Sequence, residues 1–419
     1  MLLRQFTITD LNGPHNGQIL DLRVKDGLIT EMAESLTVSQ KETVIEGKGA
    51  HISPGFVDVG AYLGDPGHEE REDIASLRAA AIAGGYVTVA TLPNTQPVRQ
   101  SVADVAYLLQ QNGGHPVDLL PLTALSHNLA GKDLTEMLEL TSAGATVFTD
   151  GPKRRVSGSL LKRSLEYAQA GNCRIMISPY DEALVPEGQM HEGTISTRLG
   201  LRGIPVMSES IPLKRAMELL KYTEGRLIVH LISSASGIRE VRRAKAAGLD
   251  VVATVSAHHL QFTDEELSTF DPSFKILPPL REDSDRQALI GGLQDGTIDA
   301  IVSNHVARHG EEKDLEFFYA DFGALGLQTA FRQCLQALAG KLSVEDIVAK
   351  FTAGPRLLLG SPTLHLRSGA PACLTLFTTQ GSSVFSAPDI RGKTLNSPLI
   401  GKTLPGKILG VVNNGRFVE

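Results

Sequence analysis

Eight times between residues 55 and 303 the chain produces a short apolar run: GFVDVGAY (55–62), YVTVATL (86–92), VDLLPLTA (117–124), ATVFT (145–149), CRIMIS (173–178), RLIVHL (226–231), DVVATVS (250–256) and DAIVS (299–303). Stretches with helical spacing separate most of them, among them DIASLRAAAIAGG, GSLLKRSLEYAQAG and ASGIREVRRAKAAG, each ending in a glycine of the kind that caps helices. Strand-length runs alternating with helices predict an α/β fold, here a TIM-type (β/α)8 barrel. A doubly wound open sheet is the alternative, but no phosphate-binding glycine loop follows the first strand. The two flanks differ in pattern. LLRQFTIT, QILDLRV, LITEM and ETVIEG at the start, and ACLTLFTT and KILGVVNNGRFVE at the end, alternate apolar and polar positions around turn signals, which predicts antiparallel sheet. Two sheet fragments at opposite ends pair most simply into one small β-sandwich module, residues 1–53 with 361–419, beside a barrel of residues 54–360.

A parallel barrel carries its chemistry at the carboxyl ends of its strands. In chain order those ends hold Gly60 and Tyr62; Asn94; Ser126 and His127; Asp150; Ser178 and Tyr180; His230; His258 and His259; Asn304 and His305. A hydrolytic metal centre needs three or more imidazole or carboxylate ligands converging on one ion with a position open to water. These ends supply scattered histidines and no HxH pair. Composition narrows the classes further. With 42% hydrophobic and 21% charged residues the chain reads as soluble and globular. No window reaches the roughly 18 apolar residues of a membrane span, and MLLRQFTITDL alternates like a strand rather than a signal peptide, so a cytoplasmic protein with no membrane association is expected. A net charge of -7 argues against a nucleic-acid surface, and Cys173, Cys334 and Cys373 lie too far apart in sequence to suggest a thiolate metal site.

Longer stretches resemble dihydroorotases of the amidohydrolase superfamily: PGFVD (54–58), DPGHEEREDIASLRAAAIAGG (65–85), TLPNTQP (91–97), EGTISTRLGLRGIP (192–205), SAHHLQFTDEEL (256–267), KILPPLRED (275–283), EEKDLEFFYADFGALGLQTAF (311–331) and NSPLIGKTLPGKILGVVNNG (396–415). The resemblance implies cyclic-amide hydrolysis in pyrimidine biosynthesis. It also implies residue roles that this chain departs from. The family's first strand ends HxHLREPG, two zinc histidines and a substrate-binding arginine; Gly60, Tyr62 and Gly64 stand at those positions. Ser178 replaces the ligand histidine after the fifth strand, with Tyr180 at the acidic position of that stretch. Asn304 replaces the aspartate of TDHAPH that serves as ligand and general base, and an amide cannot take a proton as a carboxylate does. Leu277 replaces the asparagine of KxNPPLR. His230 in VHLISS and Asn94 in LPNT are retained, and Asp150 in VFTDG is set against an aspartate of FSDDG, a bridging ligand in some members.

Two functions follow from this resemblance. Members with degenerate metal sites associate with aspartate carbamoyltransferase and stabilise or activate it, which implies a pseudoenzyme with no cofactor, that enzyme as partner and a homodimeric state. Alternatively the chain is an active cyclic amidohydrolase whose zinc is held by a displaced set drawn from His230, His258, His259, His305 and His309. Glu311 or Glu312 would assist if His305 and His309 lay one helical turn apart. Each residue has a plainer reading too: His230 as a buried, hydrogen-bonded histidine, His258 and His259 facing opposite ways on a strand, Asn94 and Asn304 as turn residues, and the basic run at 153–155 as a solvated face.

Overall fold

A computed structural model describes residues 1–40, 42–152 and 156–419; the basic run at 153–155 lies outside the described residues. Nine strands precede the middle of the chain: β1 (Leu2–Ile8), β2 (Ile19–Lys25), β3 (Leu28–Ala33), β4 (Val44–Glu46), β5 (His51–Pro54), β6 (Phe56–Ala61), β7 (Tyr86–Thr91), β8 (Asp118–Pro121) and β9 (Val147–Phe148). Then come β10 (Arg174–Ile177), a short ribbon of β11 (Met190–His191) and β12 (Gly203–Ile204), β13 (Leu227–Val229), β14 (Val251–Ser256), β15 (Ala300–Val302), β16 (Leu374–Val384), β17 (Thr403–Asn413) and β18 (Arg416–Val418).

Each of the eight apolar runs contains one barrel strand. They pair in parallel as β6-β7-β8 and β9-β10-β13-β14-β15. Two seams close the ring. Between β8 and β9 the Thr123 N–H donates to the Val147 carbonyl at 3.1 Å, and the Thr149 N–H to the Thr123 carbonyl at 2.9 Å. Between β15 and β6 the buried Asp58 carboxylate accepts the Ser303 N–H and hydroxyl, both at 2.7 Å, and the Tyr62 N–H donates to the His305 carbonyl at 3.0 Å. Burial pushes the Asp58 carboxyl above its usual range, opposed by those Ser303 bonds.

The helices begin and end as short-range chemistry dictates. Asp73 caps Ile74–Gly84 by accepting from the Ser76 N–H, and Gly85 ends that helix at φ +84. Gly158–Gly171 ends one residue later than its glycine, on Asn172 in the same left-handed conformation. Asparagine tolerates that region, so the last turn is extended.

Both termini join one eight-stranded sheet, ordered β18-β17-β16-β5-β1-β2-β3 with β4 beside β1, consistent with the β-sandwich expected. Its pairing is not purely antiparallel, because β1 runs parallel to β4 and β5. The chain returns from β3 by a crossover rather than a hairpin, and a crossover delivers parallel neighbours. Phe6, Leu22, Ile52, Leu376 and Val412 form this module's core. A ring cluster fastens it to the barrel, with Phe377 of β16 4.8 Å from Phe331 and 6.0 Å from Phe56 between ring centroids. Thr375 Oγ1 accepts the Phe56 N–H at 3.0 Å and donates to the Gly85 carbonyl at 2.6 Å. Among the described residues no helix is long and apolar enough to cross a membrane.

Candidate functional site

The carboxyl end of β6 is filled by a neighbour rather than open. Gly60 sits at φ +92, and a Cβ placed there would lie 2.5 Å from Nε2 of His230. The imidazole therefore stands where a side chain at position 60 would begin. At Gly64 a Cβ would meet the His68 carbonyl oxygen at 2.1 Å and that of Glu72 at 2.6 Å, so the loop's own backbone occupies the space. His230 is fully buried after β13, its Nδ1 3.0 Å from Thr254 Oγ1, while its Nε2 has no protein partner. Burial pulls this imidazole down to about 3, so it is neutral at physiological pH.

Asp150, at the end of β9, accepts the Ser126 N–H on Oδ1 at 2.8 Å and the Ser126 hydroxyl on Oδ2 at 2.6 Å. Asn94 donates to the Asp150 carbonyl at 3.4 Å. Asn304 adopts φ +49, a left-handed conformation that asparagine tolerates, and its Nδ2 donates across the barrel mouth to the Leu277 carbonyl at 3.3 Å. The Ser178 hydroxyl is buried without a protein partner.

The remaining histidines do not converge. His258 and His259 lie on a helical turn, Ala257–Gln261, not on a strand, because the Ser256 hydroxyl accepts the His258 N–H at 3.1 Å and caps a helix straight off β14. Successive helical residues diverge by about 100°, which aims the two rings apart. His258 Nδ1 lies 3.2 Å from the Gln333 amide, and His259 Nε2 donates to the carbonyls of Pro278 and Pro279 at 3.1 and 3.2 Å. Burial takes these two rings down to about 3 and about 4. His305 is buried and committed: Nδ1 accepts the Gly326 N–H at 3.2 Å, so Nε2–H donates to the Glu72 carboxylate at 2.9 Å. His309 is exposed and precedes the single turn Gly310–Lys313 rather than sharing a helix with His305. Among the described residues no three His, Cys, Asp or Glu side chains come together as metal ligands. The displaced set is therefore not assembled.

The family's zinc fits these residues poorly. Of the positions that would hold it, Gly60 offers no donor, Tyr62, Ser178 and Asn304 offer neither imidazole nor carboxylate, and the Asp150 carboxylate is engaged by Ser126. Among those positions His230 Nε2 is a buried imidazole nitrogen without a protein partner, and one nitrogen does not make a site; the unpartnered His258 Nε2 and His259 Nδ1 belong to rings that do not converge with it.

Sequence reasoning set these positions against the family's ligands and said nothing of what surrounds them. Leu277 packs with Val185 and Ile204, and Tyr180 and Phe322 close over that cluster. Tyr62, Leu277, Asn304, Arg308 and Phe322 leave a cavity of about 40 Å³ at the barrel mouth. That is room for a few waters at most, against the several hundred Å³ of a usual small-molecule pocket. The legible signal was the exchange of polar family positions for Tyr62 and Leu277. A second charged group went unforeseen: Glu209, buried beneath the β13 loop, accepts the Ser233 N–H at 3.0 Å and the Ser234 N–H at 3.1 Å, with Arg281 Nη2 3.8 Å away. Arg281 Nε donates to Ser233 Oγ at 2.8 Å.

A family model described as Dihydro-orotase-like matches residues 49–236. A dihydroorotase from Anaeromyxobacter dehalogenans (strain 2CP-C) is 35% identical over 400 residues, 94% of this chain and 92% of its own. One from Geotalea daltonii is 34% identical over 404 residues, 96% of this chain and 95% of its own. Among solved structures, the L-hydantoinase (dihydropyrimidinase) from Arthrobacter aurescens superposes with a TM-score of 0.86, covering 100% of this chain and 95% of that one. At 23% identity that likeness speaks for the barrel fold alone.

Proposed function

The chain belongs to the dihydroorotase family, and from that premise we propose that it acts in pyrimidine biosynthesis not as the hydrolase but as a catalytically inactive structural and activating partner of aspartate carbamoyltransferase. The observation that carries this reading is the barrel mouth. Where a dihydroorotase needs two zinc histidines and a substrate arginine, the His230 ring stands against Gly60, backbone oxygens face Gly64, and an apolar cluster around Leu277 narrows the entrance. With the pocket reduced, the protein's surfaces carry its function, including those of a homodimer.

The test pairs two measurements. Purified protein with added zinc is assayed for cyclisation of N-carbamoyl-aspartate, and the chain is mixed with the aspartate carbamoyltransferase of its own source while sedimentation and carbamoyltransferase activity are followed. No turnover together with a stable, more active complex is expected. Turnover by the unmodified chain sinks the proposal. It would favour the second reading, an active dihydroorotase with a rebuilt zinc site, whose support is the unpartnered Nε2 of His230 and the names of the similar relatives. About one or two equivalents of zinc in protein purified without chelator would point the same way.

A further inference from the structure

The chain leaves the end of β15 and returns to the place it left. The Val306 N–H donates to the Ala324 carbonyl at 2.8 Å, so the two ends of the loop meet and residues 306–324 form a closed excursion. Asn396, buried and outside the loop, pins this base. Its Nδ2 donates to the Val306 and Gly323 carbonyls at 2.9 and 3.2 Å, and its Oδ1 accepts the Arg308 N–H at 3.1 Å. Gly323 adopts φ +146, and a Cβ there would lie 2.7 Å from Val306 Cγ1, so the returning chain passes its own start at a distance only glycine allows.

The body of the loop is seated separately from its base. The buried Lys313 amine reaches out of the loop to the Pro272 carbonyl at 2.6 Å and back to the Asp321 carbonyl at 2.8 Å, with the Lys275 carbonyl at 3.5 Å. These acceptors are all main-chain oxygens, and among the described residues Lys313 has no ion-pair partner. Lys275 donates in the opposite direction, to the Phe317 and Phe318 carbonyls at 2.7 and 3.0 Å. The inner side of the loop is a wall of the barrel mouth: Val306, Arg308, Phe322 and Gly323 line the cavity of about 40 Å³ together with Tyr62, Leu277 and Asn304. Lifting the body while the base holds carries Phe322 off the Leu277 cluster and widens that mouth.

A buried amine held by neutral carbonyls is sensitive to its own charge. Burial pulls Lys313 down to about 7 from 10.5; Arg308 of the loop and Lys275 beneath it push the same way, and Asp321 and Asp271 oppose them. In a lifted loop the amine stands in water and keeps its proton up to its ordinary value. Between those two values the lifted loop holds a proton that the seated loop has lost, so falling pH favours lifting and rising pH favours seating. Below about 7 both forms are charged and the effect ends.

We propose that residues 306–324 are a lid on the barrel mouth, pivoting at the base held by Asn396, whose seating is set by the charge on Lys313. Access to the mouth is greatest at neutral pH and below, and closes as the medium turns alkaline.

The experiment follows amide exchange across residues 308–322 by mass spectrometry from about pH 7 to about pH 9, corrected for the intrinsic pH dependence of exchange, in the unmodified chain and in Lys313→Met. A second readout is the rate at which a thiol reagent labels Leu277→Cys at the mouth, with and without Lys313→Met. The expected result is loop protection that rises about tenfold or more over that range in the unmodified chain and stays level in Lys313→Met. Labelling of Leu277→Cys slows over the same range by a similar factor, relative to its rate in the Lys313→Met background. Level protection in the unmodified chain overturns the proposal, and that measurement needs no variant to fold. A rise that survives in Lys313→Met overturns it too, as does a rise without matching slowing at Leu277→Cys. No partner protein enters the test, so its outcome is separate from that of the proposed function.

Discussion

At the scale of single residues, the absence of a side chain at position 60 is what lets His230 occupy its place. Gly60→His meets two costs, a left-handed backbone that disfavours any Cβ and a clash with the His230 ring. Together they are expected to destabilise the protein by about 2–4 kcal/mol, read by urea unfolding. The double variant Gly60→His/Tyr62→His, supplied with zinc, is expected to show no cyclisation of N-carbamoyl-aspartate, since Ser178, Asn304 and Gly64 still lack the required groups; measurable turnover would refute the reading of the mouth. Glu72 is the other instructive position. Its carboxylate accepts the buried His305 Nε2–H, so Glu72→Ala strands a donor in the interior and should lower stability by about 2 kcal/mol.

Secondary-structure elements and their connections show where pattern succeeds and where it stops. The eight barrel strands were legible because each is a short apolar run bounded by turns, and buried strands of a parallel sheet need little else. His258 and His259 were misplaced because a run reading DVVATVS gives no sign that its last serine turns the chain into a helix. The parallel neighbours of β1 were missed because alternation specifies a strand and not the direction of its partner. The Glu72–His305 and Glu209–Arg281 contacts join residues 233 and 72 positions apart, beyond the reach of local spacing. Among the connections, the loop after β15 depends on Lys275. Lys275→Met leaves the Phe317 and Phe318 carbonyls without their donor. Faster amide exchange across residues 314–322, measured by mass spectrometry, is the expected outcome, with barrel strands little changed.

For the molecule as a whole, buried histidines set the pH response. His230 and His258 are held at about 3, His191 and His259 at about 4, all chiefly by burial, against an ordinary value of 6.5. Between those values the unfolded chain binds protons that the folded chain refuses. The contribution of these histidines is therefore complete above about pH 6.5 and is lost on acidification, by up to about 1.4 kcal/mol per pH unit for each such group. Lys313, pulled down to about 7 from 10.5 by burial, acts in the same direction at higher pH, because the folded state releases its proton first. Urea midpoints should thus climb from about pH 5 through neutrality and continue upward more gently, and a midpoint that rises on acidification would contradict this account. The junction between barrel and terminal sheet has a different bearing. Phe56, near the start of the barrel, shares its ring cluster with Phe331, Phe351 and Phe377, and β5 pairs with β16. On the ribosome, then, the first barrel strand emerges some 320 residues before its last packing partner. For most of its synthesis the nascent chain carries an unfinished aromatic core, which makes it a natural client for chaperones that shield apolar surface until translation ends.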